Sequence, residues 1–167
     1  GRFRLYECFI DGTFSKAKSG GDGIGCTRVG KGVKIMILVD AQGLPVAACS
    51  TPANLAESHL IQQLFAFMIV QTTPARVIGD KAYDSDRLDE LLAAQGVEMI
   101  APNRLNRSQT QDGRALRRCK RRWSVERTIA WRQNYRRLCI RWEKSHLAFQ
   151  GFLHMACALL LIKEVLG

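Results

Sequence analysis

Val33-Lys-Ile-Met-Ile-Leu-Val39, Asp40-Ala-Gln-Gly43 and Leu44-Pro-Val-Ala-Ala-Cys-Ser50 form one unbroken stretch of the chain. The first and last pieces are short, apolar and partly β-branched. The middle piece carries turn residues, so the stretch reads as two antiparallel strands about a tight connection. Pro45 suits a strand end or an edge. Upstream, Leu5–Ile10 (LYECFI) is a further apolar run, closed by Asp11-Gly12, and reads as a strand ending in a carboxylate at a turn. Residues 15–32 read as a flexible basic loop. Their glycines do not form a GxxxxGK[ST] phosphate loop, and no helix follows them.

Downstream the pattern changes period. Asn54 and Glu57 have capping-box spacing ahead of a helix expected over about 56–70. After Pro74, residues 76–79 read as a short buried strand ended by Asp80. A helix follows over about 85–95, started by Asp84 or Ser85 and stopped by Gly96. Residues 97–100 form a fifth strand, and 101–113 a polar connector. The rest is one basic helix over 114–142 and a final helix over about 146–166, which reads as buried. The order is βββαβαβαα: an α/β mixed sheet flanked by helices, with two helices at the C-terminal end. At 167 residues a single domain over 1–167 is expected.

Charge supplies the first functional statement. The net charge is +10, concentrated in residues 104–144, and this argues for a polyanionic partner, nucleic acid first. Residues 114–142 hold ten arginines and one lysine against a single carboxylate, Glu126. On a helical wheel Trp131, Tyr135, Leu138 and Trp142 share one side. Arg114, Arg118, Arg121, Arg132 and Arg136 share another. Such cations neutralise phosphates without reading sequence, and Lys31 in the glycine-rich loop is a further candidate. Trp123, one turn before Glu126, can stack on an unpaired base or face the core. Six cysteines show no CxxC pair or zinc spacing and read as free thiols of a cytoplasmic protein. The longest apolar run, 152–162, is too short to span a bilayer.

Three acids stand out by position: Asp11, Asp80 and Glu126. If the first and fourth strands are neighbours, two strand-end carboxylates converge, and a helix packed across that edge brings the third. Glu126 then has two readings. One is a charge balancer paired with Arg122, one turn away. The other is a metal ligand, since three convergent carboxylates repel unless cations lie between them. Mg²⁺ or Mn²⁺ is the hard ion for such an oxygen set. Two such ions about 4 Å apart serve in-line phosphoryl displacement and need no histidine or cysteine.

Three ordered blocks resemble bacterial insertion-sequence DDE transposases. The first comprises Phe9-Ile-Asp11-Gly-Thr13, Val29-Gly-Lys31-Gly-Val-Lys-Ile35 and Val39-Asp-Ala-Gln-Gly-Leu-Pro-Val46. The second is Ile78-Gly-Asp80-Lys-Ala-Tyr-Asp84. The third is Arg121-Arg-Trp-Ser-Val-Glu126-Arg-Thr-Ile-Ala-Trp131 with Tyr135-Arg-Arg-Leu138. The resemblance implies an RNase H-like fold, Asp11, Asp80 and Glu126 as the metal-binding catalytic triad, and Mg²⁺-dependent cleavage at transposon ends. It further implies attack of the freed 3′-OH on target DNA. The family's third block often reads Tyr-x2-Arg-x3-Glu-x6-Lys. Arg122 and Glu126 fit it, whereas Cys119 and Gln133 stand at the Tyr and Lys positions.

The expected partners are double-stranded DNA, both transposon ends and target, and a second copy of the chain in a synaptic assembly. An upstream-frame polypeptide is expected to supply the DNA-recognition domain that such proteins carry. A nucleoid-associated location follows. The same residues also allow an RNase H-like nuclease that does not join strands, or a DNA-binding remnant without catalysis.

Overall fold

The computed structural model describes residues 3–56, 60–105 and 116–166, with backbone alone for 116–118 and 165. The stretch around Asp40 forms the two expected antiparallel strands. Strand β3 spans Gly30–Val39 and β4 spans Pro45–Pro52. Asp40 closes their turn: its buried carboxylate accepts hydrogen bonds from the backbone N–H of Gln42 and Leu44, each at 2.9 Å. A third bond from Arg4 N–H, also 2.9 Å, ties the chain start to the same group.

The first strand differs from the sequence expectation. β1 runs Glu7–Ala17, straight through Asp11-Gly12, so Asp11 lies within the strand and not at its end. Eight consecutive pairs to β3, from Phe9↔Val39 to Lys16↔Gly32, override the local turn preference of Asp-Gly. Part of the expected loop 15–32 is therefore sheet, and β2, Gly25–Thr27, pairs with the first residues of β3.

Strands β5, Arg76–Ile78, and β6, Glu98–Ile100, extend the sheet on the other side. β5 pairs parallel with β1, and β6 pairs parallel with β5. The main path is β4-β3-β1-β5-β6, with three antiparallel strands followed by two parallel ones. β2 lies on the outer edge of β3, beyond the end of β4. A two-residue strand β7, Ile140–Arg141, lies beside the far end of β1.

Alternation along β1 sorts the faces. Cys8 and Ile10 enter one cluster with Leu60, with Ile61 and Leu64 of helix α1 (Ile61–Phe65), and with Leu88 and Leu92 of α2 (Asp86–Ala93). Phe9 enters the other with Ile35, Ile37, Ile78 and Ile100. That cluster also takes Val125 of α3 (Trp123–Trp131), Leu138 of α4 (Arg136–Cys139), and Phe149, Leu153 and Ala156 of α5 (His146–Leu166). Asp11, two residues after Phe9, falls on the α3 face.

Three helical expectations change. The helix expected over 56–70 is α1, short and entered at Leu60 without a side-chain cap; Glu57 lies outside the described residues. The basic segment is not one helix. A 3-10 turn over Leu116–Arg122 leads into α3, and a second over Arg132–Asn134 follows it. Tyr135 is then extended at φ −112° and ψ 95° before α4. The break lets Ile140-Arg141 pair with Lys16-Ala17.

The last helix, expected to be buried, buries one side only. Leu147 and Leu166 are each 81% exposed, and Met155, Leu159 and Ile162 also face outward. By length and composition His146–Glu164 is apolar enough to cross a bilayer, at mean hydropathy 1.4. In this chain its inner face covers the sheet, and Gln150 accepts from Ser50 N and donates to Ala48 O. α2 matches expectation: Ser85 is its extended N-cap residue, Asp86 and Asp89 lie in its first turn, and Gly96 follows it at φ +73°.

Candidate active site

The parallel pairing of β1 and β5 brings two of the three acids together. Phe9 pairs with Ile78, and two residues further along both chains stand Asp11 and Asp80. Asp80 keeps an extended backbone, at φ −88° and ψ −173°, so the alternation of the strand carries through it. Phe9 and Ile78 share the α3-side cluster, and the two acids inherit that face. Neighbouring strands are about 4.8 Å apart, which sets the scale of their separation.

The turn after Asp80 is built to hold it. Asp80 Oδ1 accepts from Ala82 N–H at 2.8 Å, capping the 3-10 turn Lys81–Tyr83. Gly79 admits no side chain there, because a Cβ would lie 2.5 Å from the Tyr83 ring and 2.8 Å from Met99 Cε. Arg104 clamps the turn from outside: its guanidinium donates to the carbonyls of Lys81 (2.9 Å) and Ala82 (2.8 Å), and its N–H donates to Asp84. Sequence reading missed Arg104, which stands in a polar connector with no periodicity to single it out.

Glu126 projects from the first turn of α3 above this edge. The helix is fixed to the β3–β4 turn: Thr128 Oγ1 donates to Gly43 O at 2.7 Å, and Arg127 donates to Gln42 O at 2.9 Å. Between Glu126 and the strands lies Arg122. Its Nη2 is 3.3 Å from Asp11 Oδ2 and 3.8 Å from Glu126 Oε1. The charge-balancing reading of Glu126 is thus present, and the same guanidinium also reaches Asp11. Among the described residues no three His, Cys, Asp or Glu side chains stand close enough together to hold one ion.

The donor set nevertheless suits a hard divalent cation. Its candidate ligands are all carboxylate oxygens, and a positive group already lies between two of them. The buried cysteines do not compete for that role: burial pushes the Cys8 and Cys49 thiols up to about 12, so both stay protonated at neutral pH.

The expected DNA-contacting residues divide. Trp123 is 58% exposed and faces out of the core, with the Arg127 guanidinium 5.1 Å from its ring centre. Arg136 is exposed beside a cleft of about 350 Å³ between α4 and α5. Arg121 is exposed and pairs with Glu7 at 2.9 Å. Arg132 turns inward, donating to Leu138 O at 2.8 Å, and burial pushes its guanidinium below its ordinary value. Lys31 is exposed on the β2–β3 edge, six residues along β3 from the partner of Asp11, hence roughly 20 Å from the acids. Arg118 and Arg114 have side chains outside the described residues.

Comparison with known proteins places the chain in a family. A family model described as a transposase DDE domain matches residues 3–161. The protein assigned as the transposase for insertion sequence element IS402 of Burkholderia cepacia is 34% identical over 141 residues. The match covers 80% of this chain and 64% of that one. The corresponding protein of IS6501 of Brucella ovis is 31% identical over 134 residues, covering 78% of this chain and 98% of that one.

Among solved structures, the piggyBac transposase in a synaptic complex with hairpin DNA superposes with a TM-score of 0.56 at 9% identity. That covers 92% of this chain and 46% of that one. A chain of the simian T-cell lymphotropic virus intasome, in complex with a PP2A regulatory subunit, gives 0.51 at 14% identity, covering 80% and 40%. At such identities the likeness is one of fold, the RNase H-like mixed sheet implied by the sequence blocks. The family match over nearly the whole chain, together with the two insertion-sequence relatives, means that this chain belongs to the transposase DDE domain family of bacterial insertion sequences.

Proposed function

We propose that this chain is the metal-dependent catalytic core of an insertion-sequence transposase, cleaving DNA at the element's ends and joining the freed 3′-OH to target DNA. The observation that carries the reading is the parallel β1–β5 pairing, which sets Asp11, within β1, beside Asp80, two residues past the end of β5, beneath the helix that bears Glu126. Asp11, Asp80 and Glu126 would hold Mg²⁺, or Mn²⁺ in its place, in a two-ion arrangement. The bound metal would activate the attacking oxygen and stabilise the leaving one.

The protein's own groups orient and attract. The Asp80 turn, clamped by Arg104, fixes one carboxylate. The Gly43–Thr128 bond fixes the height of α3 and with it Glu126. Arg121, Arg122 and Arg136 supply positive potential for the phosphate backbone, and exposed Trp123 offers a ring to an unpaired base. Double-stranded DNA is the partner, and a dimer or larger assembly would hold two ends together. An upstream-frame polypeptide for end recognition and a nucleoid-associated location belong to the same reading.

The test is Asp80→Asn. The variant should lose Mn²⁺-dependent strand cleavage while binding DNA nearly as well as the wild type. Full cleavage by the variant would remove Asp80 from the triad. Precut donor ends separate the activities, since joined product marks a transposase and hydrolysis alone a nuclease.

A further inference from the structure

Arg122 stands where a cation is needed before any metal arrives. Its Nη2 lies 3.3 Å from Asp11 Oδ2 and 3.8 Å from Glu126 Oε1, and its side chain is only 20% exposed. Asp11 belongs to β1 and Glu126 to α3, so the guanidinium joins the sheet to the helix across the candidate site. Two carboxylates brought together without a cation repel, and a forked, permanently charged guanidinium suits such a gap.

The seat is imperfect. Arg122 Nε is buried and has no hydrogen-bond partner among the described residues. An unmatched buried donor is a standing cost, which lowers the barrier to leaving. The Glu126 contact at 3.8 Å is longer than a hydrogen bond. Arg122 is thus held by charge more than by fitted geometry.

We propose that Arg122 is a stand-in cation: it neutralises Asp11 and Glu126 in the metal-free protein, and divalent metal displaces it from between them. This rests on the reading of Asp11 and Glu126 as metal ligands and goes beyond it. A divalent ion and a guanidinium sharing the same two carboxylates repel each other strongly at this range. The displaced guanidinium swings outward, away from the metal, where a DNA phosphate gives it a planar bidentate partner. Arg122 in this role is a positioning residue that couples metal loading to phosphate capture.

The experiment is a calorimetric Mn²⁺ titration of the full chain as wild type, Arg122→Gln and Asp11→Asn, with thermal melts in chelator and in saturating Mn²⁺. Arg122→Gln should bind Mn²⁺ about tenfold tighter than wild type, because the guanidinium no longer competes with the metal for Asp11 and Glu126. It should melt lower than wild type in chelator and gain more from Mn²⁺. Equal or weaker Mn²⁺ binding by Arg122→Gln, with the site still lost in Asp11→Asn, overturns the stand-in role and leaves the triad untouched. Absence of any Asp11-dependent site in wild type and Arg122→Gln alike overturns the triad and this proposal together.

A readout on the wild-type protein avoids dependence on the variant's folding. The Arg122 Nε–H nuclear magnetic resonance signal, assigned by its loss in Arg122→Lys, should shift on Mg²⁺ addition. A signal that stays in place through saturation overturns the proposal.

Discussion

The arginines of the basic segment share a residue type and divide by environment. Arg136 faces solvent, whereas Arg132 and Arg141 turn inward and Arg122 is held between acids. Arg141 is the extreme case, with its side chain fully buried. Its guanidinium donates to the carbonyls of Asp22 (2.7 Å), Glu143 (2.9 Å) and Lys144 (3.0 Å) and lies over the Phe149 ring. Burial pushes it below its ordinary value, partly offset by Asp22 and Glu143. Those three carbonyls belong to the chain segments that join β1 to β2 and β7 to α5, so Arg141 ties both into one corner. Arg141→Met should lower unfolding stability by about 3 kcal/mol, since the carbonyls of Asp22, Glu143 and Lys144 lose a charged donor. Urea denaturation measures it, and a loss under about 0.5 kcal/mol would mean that water replaces the guanidinium freely. No sequence signal separates Arg141 from Arg136, because the difference arises from a chain reversal that neither residue encodes.

At the scale of elements, legibility followed how far each signal reached along the chain. The β3–β4 pair and α2 were legible because strand runs, turn residues and helix stops lie within a few positions of one another. β1 was cut short at Asp11 because Asp-Gly is strong local turn chemistry, while the pairs that carry the strand on to Ala17 come from β3, about twenty residues away in sequence. The break at Tyr135 was invisible for the opposite reason: residues 114–142 contain no Gly or Pro, and the interruption is stabilised by β7 joining β1. The two aspartates were legible as strand-associated acids. Their adjacency needed the parallel β1–β5 register, which periodicity does not contain.

The anchor of α3 belongs to this scale. Thr128 Oγ1 is buried and donates to Gly43 O, and Gly43 holds φ +90° in the β3–β4 turn. Thr128→Val keeps the shape and removes the donor. It should cost about 1–2 kcal/mol by leaving Gly43 O unpaired, and it should weaken Mn²⁺ binding by letting Glu126 drift. Denaturation and calorimetry report the two effects separately. Unchanged metal affinity beside a clear stability loss would show that α3 sets its own height without the turn.

At the scale of the whole molecule, the +10 net charge predicts binding to a polyanion, and the structure decides which cations are available for it. Cations turned inward onto backbone carbonyls release no counterions when DNA arrives. Arg132 and Arg141 fall in that class. Lys31 on the β2–β3 edge and Arg136 at the start of α4 do not: both are exposed, and they belong to different elements, β3 and α4. If DNA reaches both, each contributes one phosphate contact. Replacing Lys31 or Arg136 with Ala should then lower the slope of log K against log salt by about 0.9, with similar losses of affinity on unrelated sequences. Arg132→Met should change stability and leave the slope where it was. Fluorescence anisotropy between low and moderate salt distinguishes the cases. A slope that falls for Arg136→Ala but not for Lys31→Ala would confine DNA to the α3–α4 side. A slope indifferent to both would place the duplex on neither surface and leave the excess charge of the segment to Arg121, Arg122 and Arg127.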